Sequence, residues 1–286
     1  MSIKTILCPI VGGDADAATM NLAATVARRF GAHLDIVHAK ADPRDSMPYL
    51  GEGASPALID QVLESAEKEG GIRAGRAQAE FEAWRAASGM PIANGPGTGG
   101  ASCAFRAVAG AEDKWIARLG RLADLTIVAQ PRDGGTVAAM LAFEAALLDT
   151  GHPVLIAPAS GGGSLEGAAL VAWNGSVESA RAVTAGLPFL ANARSVSIVT
   201  VEENANLPDG QGCVDHLAWH GIRADVRSLG GKGRSAAQAI VADIESTKAG
   251  LLVMGGYTHN RLRQMIFGGV TALVLKSTTI PVLMAH

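Results

Sequence analysis

The sequence runs to 286 residues, long enough for two ordinary domains, and its 35 glycines, 48% hydrophobic and 4% aromatic content suit small-residue helices lying close on a parallel sheet. A net charge of −3, a pI near 6.2 and the lack of a basic block exclude the electrostatic footprint of a nucleic-acid binder. No apolar run approaches the roughly 18–20 residues that cross a bilayer, and the opening MSIKTILCPIVGG reads as a first strand rather than a signal peptide, so the expected location is the cytoplasm.

In chain order the pattern is written twice. Thr5-Ile-Leu-Cys-Pro-Ile-Val-Gly-Gly13 is a strand-length apolar run that ends in a glycine turn and leads into an Ala-rich helix. Ala168-Ala-Leu-Val-Ala-Trp-Asn-Gly-Ser176 repeats it 163 residues later, and the next strands, His33–His38 and Val196–Val201, are set against each other at the same offset. In the first half a long helical stretch then runs from Ser55-Pro56 to about Ser88, ended by the loop Gly89–Gly100. Ala123–Ala129 matches Ala249–Gly255 at an offset of 126, so the first half carries 37 extra residues, the simplest reading being a lengthened second helix. Pro153–Pro158 and Pro281–His286 are Pro-led strands that close the two halves. Alternating strand and helix implies βαβ crossovers with helices on both faces of a parallel sheet. The expected units are 1–159 and 168–286, joined by a linker, 160–167, of flexible composition. In such sheets ligands sit where the strand order reverses, which points to the turns after the first and fourth strands of each unit.

The turn after the second unit's fourth strand, Gly255 to Thr271, favours an anion. Glycines allow close backbone approach, helix-start amides carry partial positive charge, and Arg261 and Arg263 add cations. Gly268-Gly269 opens a further apolar helix, Val270 to Lys276, whose first amides face the same anion. The run Val253-Met-Gly-Gly-Tyr-Thr-His-Asn-Arg-Leu-Arg-Gln-Met-Ile-Phe-Gly-Gly-Val-Thr271, closed by Ile280–Met284, resembles the C-terminal signature of the universal stress protein family. Val171–Ala180 resembles that family's first strand and turn, and the similarity spans both halves. The family's nucleotide-binding members carry a glycine, two residues, a glycine, nine residues, then glycine followed by Ser or Thr. Here those places hold Gly255, Thr258, Gly268 and Gly269.

The resemblance implies a tandem member with two flavodoxin-like (Rossmann-like) α/β units, each a five-stranded parallel sheet with helices on both faces, packed as an internal pseudo-dimer and open to homodimer formation. It also implies ATP, or AMP or ADP, with or without Mg²⁺, bound in the second unit. The Val201 backbone would meet adenine, and Asn174, where an Asp is usual, and Gly175 would lie beside the nucleoside. Met254, Gly255, Thr258, Asn260, Arg261, Gly268, Gly269, Val270 and Thr271 would line the ribose and phosphates. Gly269 lacks the family's hydroxyl, a loss of about 0.5–1.5 kcal/mol. A β-branched Thr258 at positive φ would cost about 1–2 kcal/mol. Together these weaken binding roughly tenfold to a few hundredfold. In the first unit Gln130-Pro131 replaces the glycine turn, Val11 stands at the Asp position and Ala39 at that of Val201, so its site is expected to be degenerate.

Other signals are weaker. Cys8, Cys103 and Cys213 are widely spaced and read as buried thiols. Gly95–Gly100 fits a dinucleotide fingerprint superficially but lacks a preceding strand, and Ser160–Ser164 follows a unit's last strand, unlike a pyrophosphate loop. His216 and His220 share a helical face without further ligands, and His259 sits in the candidate cradle. No nucleophile stands with its base, which argues against a dedicated enzyme and leaves below the nucleotide-binding regulator a nucleotide-independent interaction module built on the closing strands.

Overall fold

The computed structural model describes residues 2–40, 42, 55–96, 99–132, 137–162, 164–201, 209–230, 233, 235–256 and 269–286. The chain falls into two compact units. One comprises Ile3–Val128 and Thr136–Thr150; the other comprises Ala129–Gly135 and Gly151–His286, with the first two residues.

The first unit holds β1 (Thr5–Pro9), α1 (Asp16–Phe30), β2 (His33–Lys40), α2 (Pro56–Ser88), β3 (Ser102–Ala109), α3 (Glu112–Gly120), β4 (Leu125–Ala129) and α4 (Val137–Asp149). Its strands lie in the order β3-β2-β1-β4, every pair parallel. β1 and β4 are buried along nearly their whole length, which is why they read as near-continuous apolar stretches, whereas β3 carries exposed residues. The long helix of the sequence reading is α2 with the bounds expected. Ser55 caps it by accepting from the Leu58 amide, Pro56 occupies the first turn, and Gly89 closes it at φ 65. It packs on α1 and β2 through Ala77, Phe81 and Trp84, the Trp84 indole donating to Asn21 at 3.0 Å and Phe81 stacking on Phe105.

The second unit holds β5 (Val154–Ala157), β6 (Ala168–Ala172), α5 (Val177–Leu190), β7 (Ser195–Val201), α6 (Gly210–Trp219), β8 (Ala224–Leu229), α7 (Ala236–Thr247), β9 (Ala249–Gly255), α8 (Gly269–Ser277) and β10 (Val282–Ala285). Its order is β5-β10-β9-β6-β7-β8. All these pairs are parallel except β5 with β10, where Val282, Leu283 and Met284 face Ile156, Leu155 and Val154 in antiparallel register. In both units the order reverses beside the first strand, between β1 and β4 and between β6 and β9, so the turns singled out in the sequence stand at the switch points.

Strand register corrects one offset. Thr5 pairs with His33 and Ala168 with Ser195, so the second strands repeat at 162 rather than 163. That shift aligns buried Leu34 and Ile36 with buried Val196 and Ile198 and places Ala39 opposite Val201. The glycine-rich connection is also firmer than its composition suggests. A Cβ on Gly250 would lie 2.0 Å from the Ser164 carbonyl oxygen, one on Gly162 would lie 2.6 Å from that of Thr279, and Leu165 is buried. Its small residues serve close packing on β9 and on the approach to β10.

Candidate functional site

At the second unit's switch point β6 ends in the turn Trp173–Ser176. Trp173 donates its amide to the Val199 carbonyl, Gly175 adopts φ 72, and Ser176 caps α5 by accepting from the Ser179 amide at 3.1 Å. Asn174 is exposed and accepts from the Ser176 amide through its side chain at 3.1 Å. The amides of Asn174, Gly175, Val177 and Glu178 have no protein acceptor among the described residues, and the buried Trp173 indole N–H likewise has none. These amides belong to exposed or half-buried residues at the start of α5, where a helix leaves its first N–H groups without an intrahelical acceptor.

Beside this turn β9 ends at Met254 and Gly255. A Cβ on Gly255 would stand 2.6 Å from the Ser179 nitrogen and 2.8 Å from the Glu178 carbonyl carbon. The glycine therefore lets β9 pass under the first turn of α5, a packing reason that needs no ligand. Gly256 continues the strand by donating to the Ala285 carbonyl at 2.8 Å, and its own carbonyl lies 3.1 Å from the His286 ring. Across the segment, Gly269 begins α8 at φ 84 with open space around its missing side chain, Val270 follows half-buried, and Thr271 is buried. A positive φ at residue 269 suits glycine better than the Ser or Thr of the family pattern. Val201 ends β7 half-buried. Thr258, His259, Asn260, Arg261, Arg263 and Gly268 lie outside the described residues.

The first unit's equivalent turn has the same backbone and a different filling. Gly12 adopts φ 73, as Gly175 does φ 72, but the place of Ser179 is taken by Asp16. The Asp16 carboxylate accepts from the amides of Val11 at 3.3 Å, Gly12 at 2.7 Å and Gly13 at 3.0 Å. A Cβ on Gly12 would lie 2.7 Å from the Arg73 carbonyl oxygen, so α2 seals the turn. Burial, only partly offset by the three amides, raises the Asp16 pKa to about 6, with Glu80 adding to the rise. Glu112, at the start of α3, is pushed to about 8 by burial, Arg73 opposing and Asp16 and Asp113 reinforcing. His38 is held below its ordinary value by burial, with the Arg73 charge adding to the fall and the Ile10 carbonyl that its ring meets at 2.9 Å opposing it. Sequence reading passed over Asp16, although an acid at the head of an Ala-rich helix is a helix-start signal. Glu112 and His38 gave none, because their burial comes from tertiary packing.

The remaining candidates carry no catalytic arrangement. All three cysteines are buried free thiols, as expected, and burial raises the pKa of each, that of Cys213 to about 11. The His216 and His220 rings meet edge-on at 4.9 Å on exposed positions of α6 and its end. Among the described residues no group of three or more metal-ligating side chains converges, and no helix is long and apolar enough to cross a membrane. A cavity of about 310 Å³ beyond β2 and β3 is lined by Gly110, Lys114, Trp115 and Arg118.

Comparison with known proteins bears on the fold and on the C-terminal part of the chain. The model of the universal stress protein family matches residues 220–286. Over 63 residues the chain is 41% identical to the universal stress protein Slr1230 of Synechocystis sp., a match covering 22% of this chain and 21% of that protein. It thus spans about a fifth of that relative's length. Among solved structures, a universal stress protein from Archaeoglobus fulgidus DSM 4304 superposes with a TM-score of 0.66 at 15% identity, covering 98% of this chain and 96% of that one. A protein of unknown function from Pseudomonas aeruginosa PAO1 gives 0.53 at 14% identity, covering 99% and 92%. At such identities these two likenesses speak for the fold, along nearly the whole chain.

Proposed function

We propose, starting from a second unit whose residues 220–286 belong to the universal stress protein family, that this chain is a stress-response protein binding ATP or a related adenine nucleotide in that unit. It acts as a sensor or regulator without dedicated catalysis, any hydrolysis being slow and incidental. The supporting observation is the contrast between switch points. The first unit's turn amides already donate to Asp16, whereas those of Asn174 and Gly175 have no protein acceptor among the described residues. In this reading the α5 and α8 helix starts supply partial positive charge to the phosphates, the Val201 backbone reads adenine, and Thr258, Asn260, Arg261 and Gly268 complete the cradle. Calorimetry with ATP and Mg²⁺ at about 100 µM protein tests it, a concentration suited to affinities weakened by the two departures from the family pattern. One site per chain is expected. Two equivalent sites refute the asymmetry, and no heat refutes the nucleotide.

One observation favours a second reading. Gly255 is fully accounted for by the passage of β9 under α5, so a glycine there needs no phosphate to explain it. A nucleotide-independent interaction module is the corresponding function, and it predicts a silent calorimeter with assembly intact.

A further inference from the structure

The first unit's switch-point turn is built as a small-anion receptor and is filled from within. Three successive amides, Val11, Gly12 and Gly13, converge at 3.3, 2.7 and 3.0 Å on the two oxygens of one carboxylate, which is 2% exposed. That convergence needs Gly12 at φ 73, and α2 closes over it because the Arg73 carbonyl leaves no room for a side chain at residue 12. In the repeat, Gly175 keeps the conformation at φ 72, but the residue in the place of Asp16 is Ser179, whose hydroxyl turns back to the Ser176 carbonyl at 2.8 Å. The turn is common to both units; the carboxylate is not.

We infer that Asp16 is the residue that decides ligand access in the first unit: its carboxylate is a built-in occupant of an anion-binding turn and shuts that turn to outside anions. The class of anion the turn takes follows from its neighbours. Glu80 from α2 acts on Asp16 as a like charge, Asp16 in turn opposes ionisation of Glu112 on α3 and of Cys8 on β1, and Arg73 favours the charged form of Glu112. The bond donors are amides alone, with acids close by. A compact monocarboxylate therefore fits and a dianionic phosphate is disfavoured. This inference is independent of the nucleotide reading of the second unit.

Removing the carboxylate decides it. Asp16→Ala leaves one buried and two part-buried amides without their acceptor, so its thermal midpoint falls by roughly 5 °C or more. Sodium formate at about 0.2 M recovers about half of that loss relative to sodium chloride of equal ionic strength, because a ligand bound only by the folded state stabilises it by mass action. The wild-type protein, already filled, shows no formate-specific gain. Asp16→Asn, which retains an acceptor oxygen in the same volume, shows none either. If Asp16→Ala responds to formate no more than the wild type does, or the wild type responds as strongly as the variant, the inference is overturned. Should Asp16→Ala fail to fold in both salts, Asp16→Ser, which places the second unit's own residue type there, is taken through the same comparison, and equal midpoints in formate and chloride overturn it.

Discussion

Glu112 offers the sharpest quantitative test of how the first unit is held. It begins α3 behind Ala111, which supplies no side-chain cap, and burial lifts its pKa from an ordinary 4.5 to about 8. An acid raised on folding stabilises the native state fully only below its unfolded pKa, and that contribution is lost as pH rises from about 4.5 through about 8. At about 1.36 kcal/mol for each tenfold change in proton affinity, the ceiling is about 5 kcal/mol. Because Glu112 is only half-buried and the amides at the start of α3 favour its charged form, about 2–3 kcal/mol is the reasonable fraction. Glu112→Gln removes the ionisation while keeping the shape. Urea unfolding at pH 5, 6.5 and 8 should give nearly coincident curves at pH 5, and at pH 8 a variant midpoint higher by on the order of 1 M, given slopes of about 1–3 kcal/mol per molar. Asp16, raised to about 6, contributes in the same direction to the pH dependence that remains in the variant. If Glu112→Gln follows the wild type across the range, the carboxyl is not the cost assigned to it here.

Two further expectations concern the second unit. Gly255→Ala sets a methyl group against the α5 backbone, not a yielding side chain, and should destabilise by about 1–3 kcal/mol in denaturant unfolding while displacing the Trp173–Ser176 turn; a neutral result would show that α5 retreats freely. Ser179→Asp brings the first unit's carboxylate into the second unit's turn and should weaken ATP binding at least tenfold by calorimetry, whereas unchanged affinity would place the ligand away from that turn.

Much of this architecture was legible because local signals and tertiary burial agree. Ser55-Pro56 and Gly89 are cap residues at both ends of α2, and the runs of β1, β4, β6 and β9 are apolar because both of their faces are covered. The repeat offset of the second strands is legible too: strand side chains alternate, so the one-residue slip to 163 sets Asp35 against buried Ile198, a mismatch visible in the letters. Other features depend on partners far away in sequence. Nothing in Pro153–Pro158 declares an antiparallel mate, nothing in a run of glycines says that Gly250 presses on Ser164, and the raised acids acquire their character only from what covers them. Of the candidate residues, Asn174 and Gly175 follow β6, and Met254 and Gly255 end β9, the two strands between which the order reverses; Val201 ends the neighbouring β7 and Gly269–Thr271 begin α8.

The antiparallel mate of β10 has a bearing on how the chain can be divided. Val154–Ala157 precedes the glycine connection yet covers the flank of β10, every residue of which is buried. A fragment starting at the glycine connection would therefore expose a bare row of backbone donors and acceptors along an apolar ribbon, the kind of flank that seeks another strand. Two such fragments facing each other across a twofold axis could satisfy it, each lending its terminal ribbon to the other. Halving this molecule would convert an internal closure into an adhesive one.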